Sequence, residues 1–120
     1  MATRNIIVQR TNETLITNAK WCDGFFSRMR GFTFTKPVAV NQGLVLVHAK
    51  DSVLESAITM FFVNYDLGVI WVNDAGEVVD KLVAKAWRPN YAAKAPARYV
   101  IEGHPSILEQ VEIGDGIRFE

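Results

Sequence analysis

Residues 56–79 read SAITMFFVNYDLGVIWVNDAGEVV, and this stretch decides the fold. Two apolar runs, residues 57–63 and 67–72, lie on either side of a short polar break. Runs of this length that are rich in β-branched and aromatic residues are typical of strands, so we predict one strand near residues 57–62 and another near residues 67–72. The segment NDAG at residues 73–76 then suits a hairpin built on a type I turn, with Gly76 in the left-handed position.

The rest of the chain offers short strand candidates separated by turn residues. The sequence predicts further strands at residues 5–9, 14–17, 43–48, 77–86, 98–102 and 117–120. Two prolines exclude a central strand at residues 87–96, and residues 105–110 suit one or two helical turns. Many short strands joined by turns favour a mainly β sandwich or barrel, formed as a single domain over residues 1–120.

An amphipathic helix is expected at residues 18–32, NAKWCDGFFSRMRGF. Helical spacing would put five apolar side chains on one face, namely Trp21, Cys22, Phe25, Phe26 and Met29. Asn18 suits the N-cap, and Gly31 suits the position just past the helix end. We therefore expect Phe25 and Met29 to be buried against the sheet.

The composition narrows the class of protein. Thirteen basic and thirteen acidic residues cancel, which argues against a dedicated nucleic-acid-binding protein. Cys22 is the single cysteine, so no intrachain disulfide forms, as is usual in a reducing compartment. No apolar run reaches the ~20 residues that span a bilayer, and the amino terminus has no apolar stretch of signal-peptide length. The cytoplasm is the expected compartment, with a removed signal peptide as the alternative.

The charges are unevenly distributed along the chain. Residues 81–101 hold five basic and no acidic side chains, whereas residues 37–80 hold one basic and six acidic ones. Two interpretations follow. Either complementary segments pair within the fold, or the basic segments converge on one anion-binding face.

Four blocks of the chain resemble one known family. The stretch at residues 56–79 is similar to the central signature of the bacterial and archaeal family named domain of unknown function 192. RMRGF at residues 28–32 resembles its Arg-Gly-Leu-Met block, and ARYVIE at residues 97–102 resembles its Ala-x-Tyr-Val-Leu-Glu block. IGD at residues 113–115 resembles its closing Gly-Asp turn. The order and spacing of these blocks carry the resemblance over about residues 15–120.

The resemblance implies a mainly β, jelly-roll-like sandwich with one or two short helices, and it implies no activity. The chain departs from the family pattern in its middle. The family usually has Pro-Leu-Asp where this chain has Asp66, Leu67 and Gly68. One common version has histidine in place of Thr59 and arginine in place of Asn64.

The loop WRPNY at residues 87–91 is the favoured candidate for a ligand site. Loops on rigid β scaffolds often carry sites. The rings of Trp87 and Tyr91 can stack on a sugar or a base, and the Arg88 guanidinium can fork onto a carboxylate or phosphate. Arg28 would complete a pocket with them. The partner expected there is an anionic or saccharide-like small molecule. The alternative is that Trp87 packs into the sheet edge and the neighbouring lysines are solvated.

Catalytic and metal sites find weaker support. Asp66, His48 or Glu102 could serve as general acid or base in a hydrolase-type enzyme, but the sequence shows no tight cluster, so no catalytic residue is assigned. His48 and His104 lack the spacing of metal ligands, and we expect neither a metal nor another cofactor. Cys22 fits a small buried apolar residue better than a nucleophile.

Three hypotheses about function remain. We favour a small β-sandwich module that binds a polar or anionic small molecule. The alternatives are a protein-interaction or structural domain and, with less support, a hydrolase-type enzyme. The oligomeric state is left open. Because Arg28 and Glu102 each stand beside a glycine where the chain turns, we also expect them to form an ion pair.

Overall fold

The computed structural model describes residues 2–32 and 36–120. Seven strands make up most of it: β1 Thr3–Val8, β2 Glu13–Cys22, β3 Gly43–Ser52, β4 Leu67–Val72, β5 Val78–Ala84, β6 Ala97–Gly103 and β7 Ile117–Phe119. A short helix, α1, spans Phe25–Arg30, and a 3₁₀ helix spans Pro105–Gln110. The expected mainly β fold is confirmed. No helix in the described ranges has the length and apolar character that crossing a membrane requires.

All seven strands belong to one curled sheet in the order β5-β4-β6-β3-β2-β1-β7. Its two ends come together, because the Ile117 N–H donates to the Gly76 carbonyl at 2.7 Å. The Val78 N–H likewise donates to the Asp115 carbonyl at 2.9 Å. Because all seven strands belong to this one curled sheet, a half-barrel, there are no two stacked sheets, and the sandwich and jelly-roll details expected from the sequence are not confirmed.

The central strands are buried on both faces, so the sheet carries two apolar cores. Successive side chains of a strand point to opposite faces. One core lies inside the curl and takes residues from every strand, with Ile107 of the 3₁₀ helix packed among them. The second core lies on the other face. It includes Leu44 and Leu46 of β3, Val69 of β4 and Val100 of β6.

The stretch that decides the fold is partly as predicted. Residues 67–72 form β4, and the turn after it is confirmed, since Gly76 has a φ of +87°. A strand was expected near residues 57–62, and this was wrong. Within the described ranges these residues form no strand, only an isolated β-bridge between Ile58 and Tyr91 and backbone hydrogen bonds between Met60 and residues 87–88. The segment buries Met60 in the second core and leaves Phe61 exposed, so it packs as an irregular cover.

The prediction of a helix from residue 18 was also wrong. Residues 18–22 continue β2, which pairs in parallel with β3, and helix α1 begins only at Phe25. Trp21 packs against Tyr99, with 5.9 Å between the ring centroids. Phe25 and Met29 are not buried, because their side chains are 66% and 61% exposed. The helical spacing of apolar residues arose by chance where a strand end meets a short helix.

We predict that Gly76→Val lowers the free energy of unfolding by about 1–3 kcal/mol, because β-branched residues resist a positive φ. A Cβ at this position would also lie 3.2 Å from the Ile117 carbonyl oxygen, at the contact that joins the sheet ends. Urea unfolding measures the change. The matched control is Ala75→Val in the same turn, which is exposed and should change stability by less than about 0.5 kcal/mol. Equal effects of the two substitutions would contradict this account of the turn.

Candidate functional site

A cavity of about 510 Å³ opens between α1, β3 and the segment at residues 55–67, and we name it the first cavity. Its apolar wall is formed by Leu46, Ile58, Met60, Val63 and Leu67. Its polar groups come from Arg28, Arg30, His48, Glu55, Thr59 and Glu102. The exposed side chains of Phe25 and Met29 lie at its edge. The lining therefore combines one apolar side with several groups that can form hydrogen bonds.

Glu102 is the most unusual residue of this cavity. Its position on β6 follows Val100 on the same face of the sheet, and its strand neighbours are Leu44 and Val69. Only 5% of its surface is exposed. Burial raises the pKa of the Glu102 carboxyl to about 7, and no charge or hydrogen bond from the described residues contributes to that shift. Near neutral pH this carboxyl is therefore present in both its neutral and its ionised form.

The end of helix α1 lies over this carboxyl. Gly31 follows the helix with a φ of +46°, and its N–H donates to the Ser27 carbonyl at 3.2 Å. A Cβ on Gly31 would lie 3.5 Å from Oε1 of Glu102, which is ordinary contact. The requirement for glycine therefore comes from the backbone conformation rather than from a clash. The turn brings the backbone directly against the acid.

Arg28 lines the same cavity but does not pair with Glu102. Its Nη1 donates to the Asp23 carbonyl at 2.5 Å and to the Val47 carbonyl at 3.2 Å. The ion pairs of the described residues involve other cations, namely Arg10, Lys85, Arg98 and Arg118. The predicted ion pair between Arg28 and Glu102 was therefore wrong, because backbone carbonyls hold the guanidinium. Both residues nevertheless line the first cavity.

His48 is a half-buried member of the lining. Burial lowers the pKa of its imidazole, and the positive charge of Arg28 lowers it further, while Glu55 acts in the opposite direction. The ring is therefore mainly neutral at pH 7, when it can donate one hydrogen bond and accept another. Two of the three acid/base candidates, His48 and Glu102, meet in this cavity. The third, Asp66, instead pairs with Lys85 at 3.1 Å.

The candidate loop at residues 87–91 does not line the first cavity. The Trp87 indole N–H donates to Oδ1 of Asn64 at 2.8 Å, and the Tyr91 hydroxyl accepts the Lys85 N–H at 2.9 Å. The Arg88 carbonyl accepts the Met60 N–H at 2.9 Å. This loop thus forms hydrogen bonds with the segment at residues 55–67, which lines the first cavity. A ligand-binding role for Trp87, Arg88 and Tyr91 stays a prediction.

Three of the five cations in residues 81–101 have partners within the fold. Nζ of Lys81 donates to the Leu108 and Val111 carbonyls, each at 2.7 Å. Lys85 pairs with Asp66 as described, and Arg98 pairs with Asp74 at 2.7 Å. The first interpretation of the uneven charge, pairing between complementary segments, is therefore favoured for this part of the chain.

The positions where the chain departs from the family pattern have different environments. Thr59 lines the first cavity. Asn64 accepts a hydrogen bond from the Trp87 indole, and Asp66 forms an ion pair with Lys85.

Within residues 2–32 and 36–120, no three side chains of His, Cys, Asp or Glu gather as metal ligands. Cys22 is buried, and burial raises the pKa of its thiol. The place of Glu102 at the base of a cavity was missed, although its alternation with Val100 was visible in the sequence.

The pKa of Glu102 predicts how stability depends on pH. The carboxyl binds its proton more tightly in the folded state, with a pKa of about 7 against 4.5 for an ordinary glutamate. Tighter proton binding by Glu102 stabilises the folded state fully below about pH 4.5, and this stabilisation is lost as the pH rises to about 7. The difference of about 2.5 units corresponds to about 3 kcal/mol. The unfolding free energy of Glu102→Gln minus that of the wild type should therefore be about 3 kcal/mol greater at pH 8 than at pH 4.

Urea unfolding of both proteins across this pH range measures the effect. Glu55→Gln is the matched control, because Glu55 also lines the cavity but is exposed. A constant difference between wild type and Glu102→Gln at all pH values would show that the carboxyl titrates normally.

This chain is similar in sequence to some known proteins and in fold to others. The UPF0127 protein of Thermococcus kodakarensis is 37% identical over 97 residues, which cover 81% of this chain and 60% of that protein. The UPF0127 protein of Pyrococcus furiosus is 34% identical over 102 residues, which cover 83% of this chain and 84% of that protein. The chain thus spans less than two thirds of the Thermococcus relative.

A solved structure also matches. The crystal structure of a protein of unknown function from Novosphingobium aromaticivorans has a TM-score of 0.82 at 14% identity, covering 95% of this chain and 83% of that one. Identity this low shows a shared fold and nothing more. The family named domain of unknown function 192, described as Uncharacterized ACR, matches residues 6–120. This chain therefore belongs to the domain of unknown function 192 family.

Proposed function

We propose that the protein binds a small molecule in the first cavity, with an apolar body against the cavity wall and a polar head at Glu102. The observation that supports this most is the buried carboxyl of Glu102, which lines a cavity and has no ionic partner among the described residues. An ionisable group with a pKa shifted by burial inside a cleft is a characteristic of functional sites.

The cost of this arrangement supports a functional role. Burial of an unpaired carboxyl disfavours the folded state at neutral pH, whereas an apolar side chain would pack with Leu44 and Val69 without that cost. Groups that destabilise a fold are common where they bind a ligand or act on one. A ligand that donates to or accepts from Glu102 would compensate for the water it loses.

The lining indicates the chemical class of the ligand. A volume of about 510 Å³ lies within the range of small-molecule sites. A neutral Glu102 donates one hydrogen bond, and a neutral His48 both donates and accepts. Arg28 keeps further N–H groups beyond the Nη1 that is bound to backbone carbonyls. These groups suit a head with a carbonyl, hydroxyl or carboxylate oxygen, in line with the polar or anionic ligand expected from the sequence.

A hydrolase-type activity is the second candidate. His48 and Glu102 line one cavity. Burial raises the pKa of the Glu102 carboxyl to about 7, close to the pH at which a general acid or base is effective, and burial lowers the pKa of the His48 imidazole, which favours its neutral, basic form. Turnover of a bound ligand that is lost in both Glu102→Gln and His48→Gln would favour this candidate. Binding without turnover would favour the binding module.

Two adjacent phenylalanines allow a matched test of the binding proposal. Phe25 and Phe26 are 66% and 79% exposed, but only Phe25 lines the first cavity. A fragment screen by ¹⁵N chemical-shift perturbation should give hits whose shifts lie at the lining. We predict that Phe25→Ala weakens binding of such a hit by about fivefold to tenfold, because it removes apolar contact area, while Phe26→Ala leaves the affinity unchanged.

Both variants should keep the unfolding free energy of the wild type, since neither side chain is buried. Equal losses of affinity in the two variants would contradict the proposal. Shifts confined to residues 85–94 would place the site at the candidate loop instead. A screen without any localised shift would favour the interaction domain.

A further inference from the structure

A second cavity, of about 830 Å³, lies beside the first. It is bordered by the end of β2, the start of β3 and residues 36–38. The strip at residues 30–32 lines both cavities and so forms the boundary between them. The buried residues Cys22 and Leu44 contribute to its lining.

The charge of the second cavity has one sign. Lys20, Arg30 and Lys36 line it, and the described lining contains no Asp or Glu. None of these three cations takes part in the ion pairs of the described residues, which involve Arg10, Lys85, Arg98 and Arg118. They therefore differ from Lys85 and Arg98, which form ion pairs with Asp66 and Asp74.

The fold explains why these cations share one cavity. Lys20 lies two residues before Cys22 on the same face of β2, and β2 pairs there with the start of β3. Arg30 ends helix α1, which follows directly after β2. A concave surface lined by charge of one sign concentrates its electric field and attracts counter-ions. The polar side chains of Thr17, Asn18 and Gln42 add further hydrogen-bonding groups to the lining.

We propose that the second cavity binds a multiply charged small anion of the phosphate class. The Arg30 guanidinium presents a planar fork that matches two phosphate oxygens, and the ammonium groups of Lys20 and Lys36 act as point charges. This proposal does not depend on the first cavity, because it rests on different side chains and on charge rather than on a buried acid. Arg30 alone of the three cations faces both sites.

The test is a titration of the ¹⁵N-labelled protein with inorganic pyrophosphate at low ionic strength. Shifts should lie at and next to the residues that line the second cavity, which fall within residues 17–22, 30–32, 36–38 and 42–44. Lys20→Ala and Lys36→Ala should each weaken binding by about fivefold, as expected for one exposed charge contact. Arg30→Ala should weaken it more, because the forked contact is lost. Raising the ionic strength to 0.5 M should weaken binding further, since exposed charges are then screened.

Lys50→Ala and Lys94→Ala are the matched controls, because both side chains are exposed and neither lines the cavity. Lys20→Arg keeps the charge and should keep most of the affinity, which separates charge from local folding. Circular dichroism melts without pyrophosphate check that every variant folds. Equal losses in the control variants, shifts at residues 85–94 instead, or no saturable shift at millimolar pyrophosphate would each overturn the proposal.

Discussion

Strict alternation of side chains along three neighbouring strands, β4, β6 and β3, is the constraint on which the structure depends. These strands lie at the centre of the sheet and are covered on both faces, so each residue must enter one of two cores. Ile101 enters the core inside the curl, and its neighbours Val100 and Glu102 face the second core. A one-residue shift in pairing would exchange the two sets, so the apolar pattern fixes the register.

This register is what buries a carboxyl. Glu102 cannot turn to solvent without reversing its strand, and its neighbours on both sides are apolar. Cover over the second face comes from irregular segments, one of which is anchored where the Trp71 indole N–H donates to the Ser56 carbonyl at 2.8 Å. After Ser56, the irregular segment does not fill the space next to Glu102, and the first cavity lies there. The cavity is thus a consequence of irregular chain packing over a regular sheet.

How far the sequence predicts this structure depends on whether the signal is local. The strand at residues 67–72 and the turn at Gly76 were predicted because a short β-prone apolar run and a turn glycine are signals that act within a few residues. Residues 57–62 were mistaken for a strand because an apolar run does not show whether a partner strand lies beside it. The meeting of Arg28, His48 and Glu102 depends on placing β6 between β3 and β4, which is set by contacts distant in sequence.

The proposed ligand site depends on the Glu102 carboxyl being buried at a cavity with no ionic partner among the described residues. The most direct measurement is an NMR titration of the ¹³Cδ resonance of Glu102 between pH 3 and pH 10, assigned with Glu102→Gln. The account predicts a midpoint at about pH 7, set by burial. A midpoint at the value of an ordinary exposed glutamate, about 4.3, would show that the carboxyl is solvated or paired and would contradict the account.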